Sequence, residues 1–190
     1  MYTLFVDTHS EVVYLSLFNE DKIITKEKES FHEHSKIVLP LLQELMDEAN
    51  ITFKEIESII VVNGPGSFTG IRIGLSIVKT LGYTLNIPVY PISTLTLYLI
   101  SSEYNDDKMA VIKDNKGYYI SVFDKDNRVK VSEKYLDNLD EYNNYKIVEN
   151  KININKVRDY KKNLEGVNIH LLKANYVKKI GVELWFIQIK

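Results

Sequence analysis

Cysteine is missing from all 190 residues, which excludes a disulfide framework and any thiolate metal site. No apolar run approaches the roughly 18 residues needed to span a bilayer. The opening stretch, MYTLFVDTHSE, has no basic region and meets an acid at Asp7, so it does not read as a secretory signal. A strong excess of one sign of charge is missing as well, with 24 basic and 26 acidic residues. A net charge of −2 argues against nucleic-acid binding through the overall field and leaves only a local patch for it. No internal repeat stands out. What is present, 45% hydrophobic and 26% charged residues, suits a globular chain long enough for one generous domain or two small lobes. The expectation is a cytoplasmic protein with no membrane segment.

The β-rich runs YTLFV (2–6) and VVYLSLF (12–18) flank a polar turn and predict a hairpin. KIITKEK (22–28) continues as a third strand whose charges fit an exposed edge. From about Ser35 to Ala49 the period becomes helical. IESIIVV (56–62) is too short for a helix and suits a buried parallel strand. Residues 70–86 are helical again, PVYPI (88–92) is a short strand, and Ser93 is a plausible N-cap for TLTLYLISS. The order β-β-β-α-β-α-β-α is that of a ribonuclease H-like unit, a meander extended by parallel crossovers. SSEYNDD (101–107) is the best boundary, giving lobes 1–102 and 108–190. Beyond it MAVIK, YYISVF and RVKVSE predict a small meander turning at DNKG and DKDN. Residues 135–165 are polar and weakly periodic, and they predict no element.

The chemistry-bearing stretch is NGPGSFTGIRIGL (63–75), a glycine-rich loop between strand and helix. A Walker loop needs Lys and Ser/Thr after its last glycine, and Gly70 is followed by Ile71 and Arg72. A dinucleotide fingerprint counted from Gly64 and Gly66 needs a third glycine where Thr69 stands. Both phosphate cradles fail on spacing. Amides at the helix start could still meet an anion, but the spacing favours glycines that serve a tight turn and close helix–strand approach. Asp7 ends the first strand, where a metal-binding carboxylate sits in ribonuclease H-like nucleases. Partner carboxylates would have to come from Glu44, Asp47 or Glu48, and Asn63 is a poor replacement at the end of the fourth strand. Asp7 reads better as a turn residue bonding nearby amides. His32 and His34 fall on different helix faces, and His34-Ser35 reads as a polar helix start. His9 shows no partner.

The two long helices carry more apolar surface than a sheet requires. Ile37, Val38, Leu41, Leu42, Leu45, Met46 and Ala49 cover about half the circumference of the first. Ile71, Ile73, Leu75, Ile77, Val78, Leu81 and Leu85 do so on the second, with Arg72, Ser76, Lys79 and Tyr83 opposite. Gly70, Gly74, Val78 and Gly82, four apart, form a low ridge that predicts close approach of another helix, with burial inside the chain as the alternative.

VDTHSE, then HEHSKIVLPLLQELM, then VNGPGSFTGIRIGLSIVKTLGYTLNIPVYPISTLTLY, in this order and spacing, resemble the TsaB (YeaZ) family. The match is dense over residues 1–100 and looser over KDNKGYYISVF (113–123). ANYVKKI (174–180) resembles the family's terminal Tyr-Leu-Arg segment, with Val177 and Lys178 replacing Leu and Arg. The resemblance implies an α/β fold of the actin-like ATPase superfamily, two ribonuclease H-like lobes with the second reduced. It also implies a non-catalytic dimerisation subunit for tRNA threonylcarbamoyladenosine modification. Such a subunit pairs through the two helices with a catalytic TsaD-type paralogue, which a TsaE-type ATPase joins, and forms homodimers when alone. No cofactor of its own is implied, ATP and metal being expected on the partner subunits, and tRNA contact comes only through the complex. The residues expected at the pairing surface are Leu41, Leu45, Gly70, Arg72, Gly74, Ser76 and Val78. The signature loop is Gly64, Pro65, Gly66, Ser67, Phe68 and Thr69. The catalytic paralogue itself needs a His-x-x-x-His pair after the strand at 88–92, where this chain has STLTLYLISS. The competing function is a metal-dependent hydrolase, peptidase or nuclease using Asp7.

Overall fold

Residues 1–31 and 33–178 are described in the computed structural model. The first three strands form an antiparallel meander in which β1 (Tyr2–Asp7) and β2 (Val12–Phe18) are buried along most of their length and β3 (Ile23–Glu29) is the more exposed edge. Crossovers through α1 (His34–Ala49) and α2 (Phe68–Leu85) add the parallel strands β4 (Ile56–Val62) and β5 (Val89–Ile92). The sheet order is β3-β2-β1-β4-β5. Both long helices stop at an asparagine in the left-handed region, Asn50 and Asn86, a conformation asparagine tolerates better than most residues. The α3 helix (Thr94–Ser101) starts at Ser93, whose hydroxyl accepts the Thr96 amide at 3.0 Å, as the sequence predicts.

The period-two alternation of the strands separates two apolar layers. Leu4, Val6, Leu15, Ile59 and Val61 face α1 and α2, and Phe5, Phe18, Ile60 and Val62 face α3. A second sheet, β6 (Lys108–Lys113), β7 (Tyr118–Phe123), β8 (Val129–Leu136) and the two-residue β9 (Lys146–Ile147), runs in the order β8-β7-β6-β9. Its Ala110 and Phe123 close the α3 layer from the other side, together with Ile154 and Val157 of the short α4 (Ile154–Tyr160). The chain then returns to the first sheet. The Val167 amide bonds the Val89 carbonyl at 2.9 Å, and Leu172 joins the core beneath α1 and α2. No described helix is long and apolar enough to cross a membrane.

The glycine ridge of α2 faces inward, against the expectation of an open surface. A Cβ on Gly70 would stand 2.1 Å from the Thr8 carbonyl oxygen, and one on Gly74 would stand 2.3 Å from the Thr8 hydroxyl. One on Gly82 would meet Val89 at 2.7 Å. The missing side chains let α2 lie directly on the end of β1 and on β5. Leu41, Leu45 and Val78 are likewise buried beneath their own helices.

Candidate functional site

The end of β1 organises the signature loop. The Thr8 hydroxyl donates to the Gly70 carbonyl at 2.8 Å, and the His9 carbonyl accepts the Ser67 amide at 2.6 Å. Ser67 caps α2, its hydroxyl accepting the Gly70 amide at 3.2 Å. Gly64 contributes its carbonyl to the Thr94 amide at 2.9 Å, which ties the loop to α3. Gly64 and Pro65 are buried, while Gly66, Phe68 and Thr69 are exposed. The loop is thus spent on positioning a helix start.

Asp7 and His9 form a buried relay with Tyr98 of α3. One Asp7 carboxylate oxygen accepts the His9 amide at 2.9 Å and lies 2.6 Å from His9 Nδ1, while His9 Nε2 lies 2.7 Å from the Tyr98 hydroxyl. Burial, and then the charge of Asp7, push the Tyr98 hydroxyl well above the ordinary tyrosine range. A carboxylate only accepts, which assigns the imidazole proton to Nδ1, and in the neutral ring Nε2 then accepts from the Tyr98 hydroxyl. Asp7 does bond a nearby amide, as a turn residue should. Among the described residues no three His, Asp or Glu side chains gather as a metal site. The sequence concealed this relay because His9 and Tyr98 lie 89 residues apart; only the Asp-x-His spacing at a strand end could have flagged its first half.

Asn63, where a nuclease would place a carboxylate, clamps the returning chain. Its carbonyl accepts the Asn175 amide at 2.8 Å, and its side chain donates to the Lys173 carbonyl at 3.3 Å. Asn175 also donates to Glu133 at 2.6 Å, and Glu133 accepts the Ser93 hydroxyl. Lys178 lies 3.4 Å from Asp114 and 4.0 Å above the Tyr135 ring. The Asn115 amide, and then Lys178 and Tyr135, hold the Asp114 carboxyl below the usual carboxylate range.

Two of the expected interface residues, Arg72 and Ser76, point away from the sheet. The Arg72 guanidinium lies 3.8 Å over the Phe68 ring and donates to the Tyr176 hydroxyl at 3.1 and 3.0 Å. Phe68 is 51% exposed and Tyr176 46%, and Leu39 of α1 is 57% exposed. Half-buried Ile73 and Ile77 extend this strip along α2. Leu41, Leu45, Gly70, Gly74 and Val78 stand on the opposite side, so the outward surface has a different membership from the one expected. Of the terminal motif, Ala174–Lys178 is described, and its last two residues lie outside the described residues.

The meander-plus-crossover sheet, the helices on both its faces and the second, smaller sheet define an α/β protein with the actin-like ATPase fold. A crystal structure from Pseudomonas aeruginosa, described as an uncharacterized protein with similarity to peptidase YEAZ, superposes with a TM-score of 0.79 at 20% identity. That match covers 93% of this chain and 99% of the other. The family model described as TsaD, tRNA N6-adenosine threonylcarbamoyltransferase, matches residues 23–177, and the chain belongs to the TsaB (YeaZ) branch of that family. A curated relative in Bacillus subtilis (strain 168), named tRNA threonylcarbamoyladenosine biosynthesis protein TsaB, is 30% identical over 115 residues, 60% of this chain and 50% of its own. A relative of the same name in Buchnera aphidicola subsp. Acyrthosiphon pisum (strain APS) is 27% identical over 184 residues, 92% of this chain and 81% of its own. Against the Bacillus protein the chain spans half the relative's length.

Proposed function

We propose that the chain acts in tRNA threonylcarbamoyladenosine biosynthesis as a non-catalytic scaffold that pairs with a TsaD-type catalytic paralogue and activates it. The observation that supports this most is the strip of Leu39, Phe68, Arg72, Ile73, Ser76 and Ile77 left outward on α1 and α2. Large apolar side chains set around an arginine on one face are the composition of an interface centre. The catalytic chemistry, with its ATP and metal, then belongs to the partner subunits, a TsaE-type ATPase among them. Direct tRNA contact is made by the assembly, and homodimers form when the paralogue is missing.

The competing reading, a metal-dependent hydrolase, peptidase or nuclease using Asp7, asks a buried carboxylate already bonded to His9 to hold a hard cation. Threonylcarbamoylation of ANN-decoding tRNA, assayed with the chain, with the paralogue, and with both plus the ATPase, separates the readings. Modification only in the complete mixture is expected. Hydrolysis by the chain alone that disappears in Asp7→Asn overturns the scaffold reading.

A further inference from the structure

The relay uses only one of the two Asp7 oxygens. Oδ1 takes both the His9 amide and Nδ1, and the other oxygen meets no hydrogen-bond donor among the described residues. Asp7 is 1% exposed, yet it lines a cavity of about 360 Å³ beside the end of β1. A buried carboxylate oxygen is costly unless a donor reaches it, so the donor has to enter through the cavity.

The sheet register builds the rest of the site. Asp7 is paired with Tyr14 across β1 and β2, and Tyr14 with Glu27 across β2 and β3, so the three side chains form a row on one face. All three line the cavity. Neighbouring strands stand about 4.8 Å apart, which carries two carboxylates on strands about 10 Å apart with a tyrosine between them. The Tyr14 ring stands edge-on to Phe5, with centroids 5.9 Å apart. Burial pushes its hydroxyl above the ordinary tyrosine range, Thr25 partly opposes this, and the charges of Glu27 and Asp7 add to the rise. Both acids therefore bear on one aromatic side chain.

Among the described residues no Lys or Arg pairs with Asp7 or Glu27. Lys151, also in the lining, is turned to Glu149 at 2.5 Å. Val12, Ile152 and the buried Tyr98 supply apolar wall. A hard metal ion asks for about six to eight oxygen ligands, and no three His, Asp or Glu side chains gather among the described residues. An ammonium group needs at most about three acceptors and gains from an aromatic face.

We infer that this cavity binds an aliphatic diamine or polyamine, with one ammonium on the free Asp7 oxygen, another on Glu27 and the methylenes along Tyr14 between them. The site is separate from the outward strip of α2, so the inference goes beyond the scaffold reading and does not rest on it.

Isothermal titration calorimetry of the full chain with spermidine and putrescine, in salt that screens the diffuse surface charge, tests the inference. Butylamine and magnesium chloride are the comparison titrants. A single equivalent of polyamine should bind, with butylamine weaker by about tenfold or more, the loss of one charged contact. Glu27→Gln, on the exposed edge strand, should weaken the polyamine by a similar factor and leave butylamine unchanged. Asp7→Asn should weaken both, and Glu141→Gln, exposed in the second lobe, neither. Circular dichroism checks each fold, and if Asp7→Asn does not fold the two exposed variants decide. No binding by wild type, no preference over butylamine, or equal affinity in wild type, Glu27→Gln and Glu141→Gln overturns the inference. Magnesium that displaces spermidine and is itself lost in Glu27→Gln overturns it too, by assigning the site to a metal.

Discussion

Replacing Gly74 with alanine sets two opposed effects against each other. Within a helix the change from glycine contributes about 1 kcal/mol of stability. The added Cβ, however, lies 2.3 Å from the Thr8 hydroxyl and 3.4 Å from its methyl. Thr8 is 1% exposed and its hydroxyl is held by the Gly70 carbonyl, so rotating it away loses about 1 kcal/mol. Overpacking costs about 1–3 kcal/mol more. The net is a destabilisation of about 1–3 kcal/mol, and each kcal/mol lowers Tm by about 2–4 °C in a chain of this size. Thr8→Ala removes the obstructing atoms, so in that background Gly74→Ala should recover the helical gain and stabilise by about 1 kcal/mol. The coupling is then about 2 kcal/mol or more. Gly70→Ala meets the Thr8 backbone oxygen at 2.1 Å and should receive no such relief. Thermal unfolding of the five variants by circular dichroism makes the comparison. A neutral Gly74→Ala, or additive Thr8 and Gly74 effects, refutes the argument that the ridge is shaped for its own sheet.

Leu41→Glu puts an unpaired charge in the core beneath α1, where Leu41 is 3% exposed, and should leave little folded protein at 37 °C; soluble yield and circular dichroism check this. Tyr98→Phe deprives His9 Nε2 of its donor and should cost about 1–3 kcal/mol in urea unfolding. Asp114→Asn addresses acid stability. The carboxyl is depressed in the folded state, so its contribution is present above the unfolded value of about 4 and disappears as pH falls through the folded value. The variant should therefore show a flatter decline of Tm below about pH 4 than wild type.

Much of the first lobe is legible because its signals are local. The β-rich runs at 2–6 and 12–18, the short apolar stretch at 56–62 and the Ser93 cap each depend on neighbouring residues alone. The stretch 135–165 is illegible for the opposite reason. It holds the two-residue β9, which exists by pairing with the distant β6, and the seven-residue α4, whose Ile154 and Val157 enter the layer between the two sheets. The candidate site is intermediate. The loop residues stand out by composition, yet periodicity gives the width of an apolar arc and not the side the sheet occupies. Gly70, Gly74 and Gly82 therefore fit a partner helix and the chain's own sheet equally well on paper. Only the Thr8 and Val89 contacts decide between them, and these join residues far apart in the chain.

The central claim, pairing through the outward strip, is tested most directly by size-exclusion chromatography with light scattering of the chain mixed with its TsaD-type paralogue. The wild-type chain, and equally a chain substituted at the remote Val129, should elute as a heteromeric complex. Phe68→Glu combined with Arg72→Glu should keep its circular dichroism spectrum and elute apart from the paralogue. A complex that survives the double substitution, or no complex with the wild-type chain, contradicts the account.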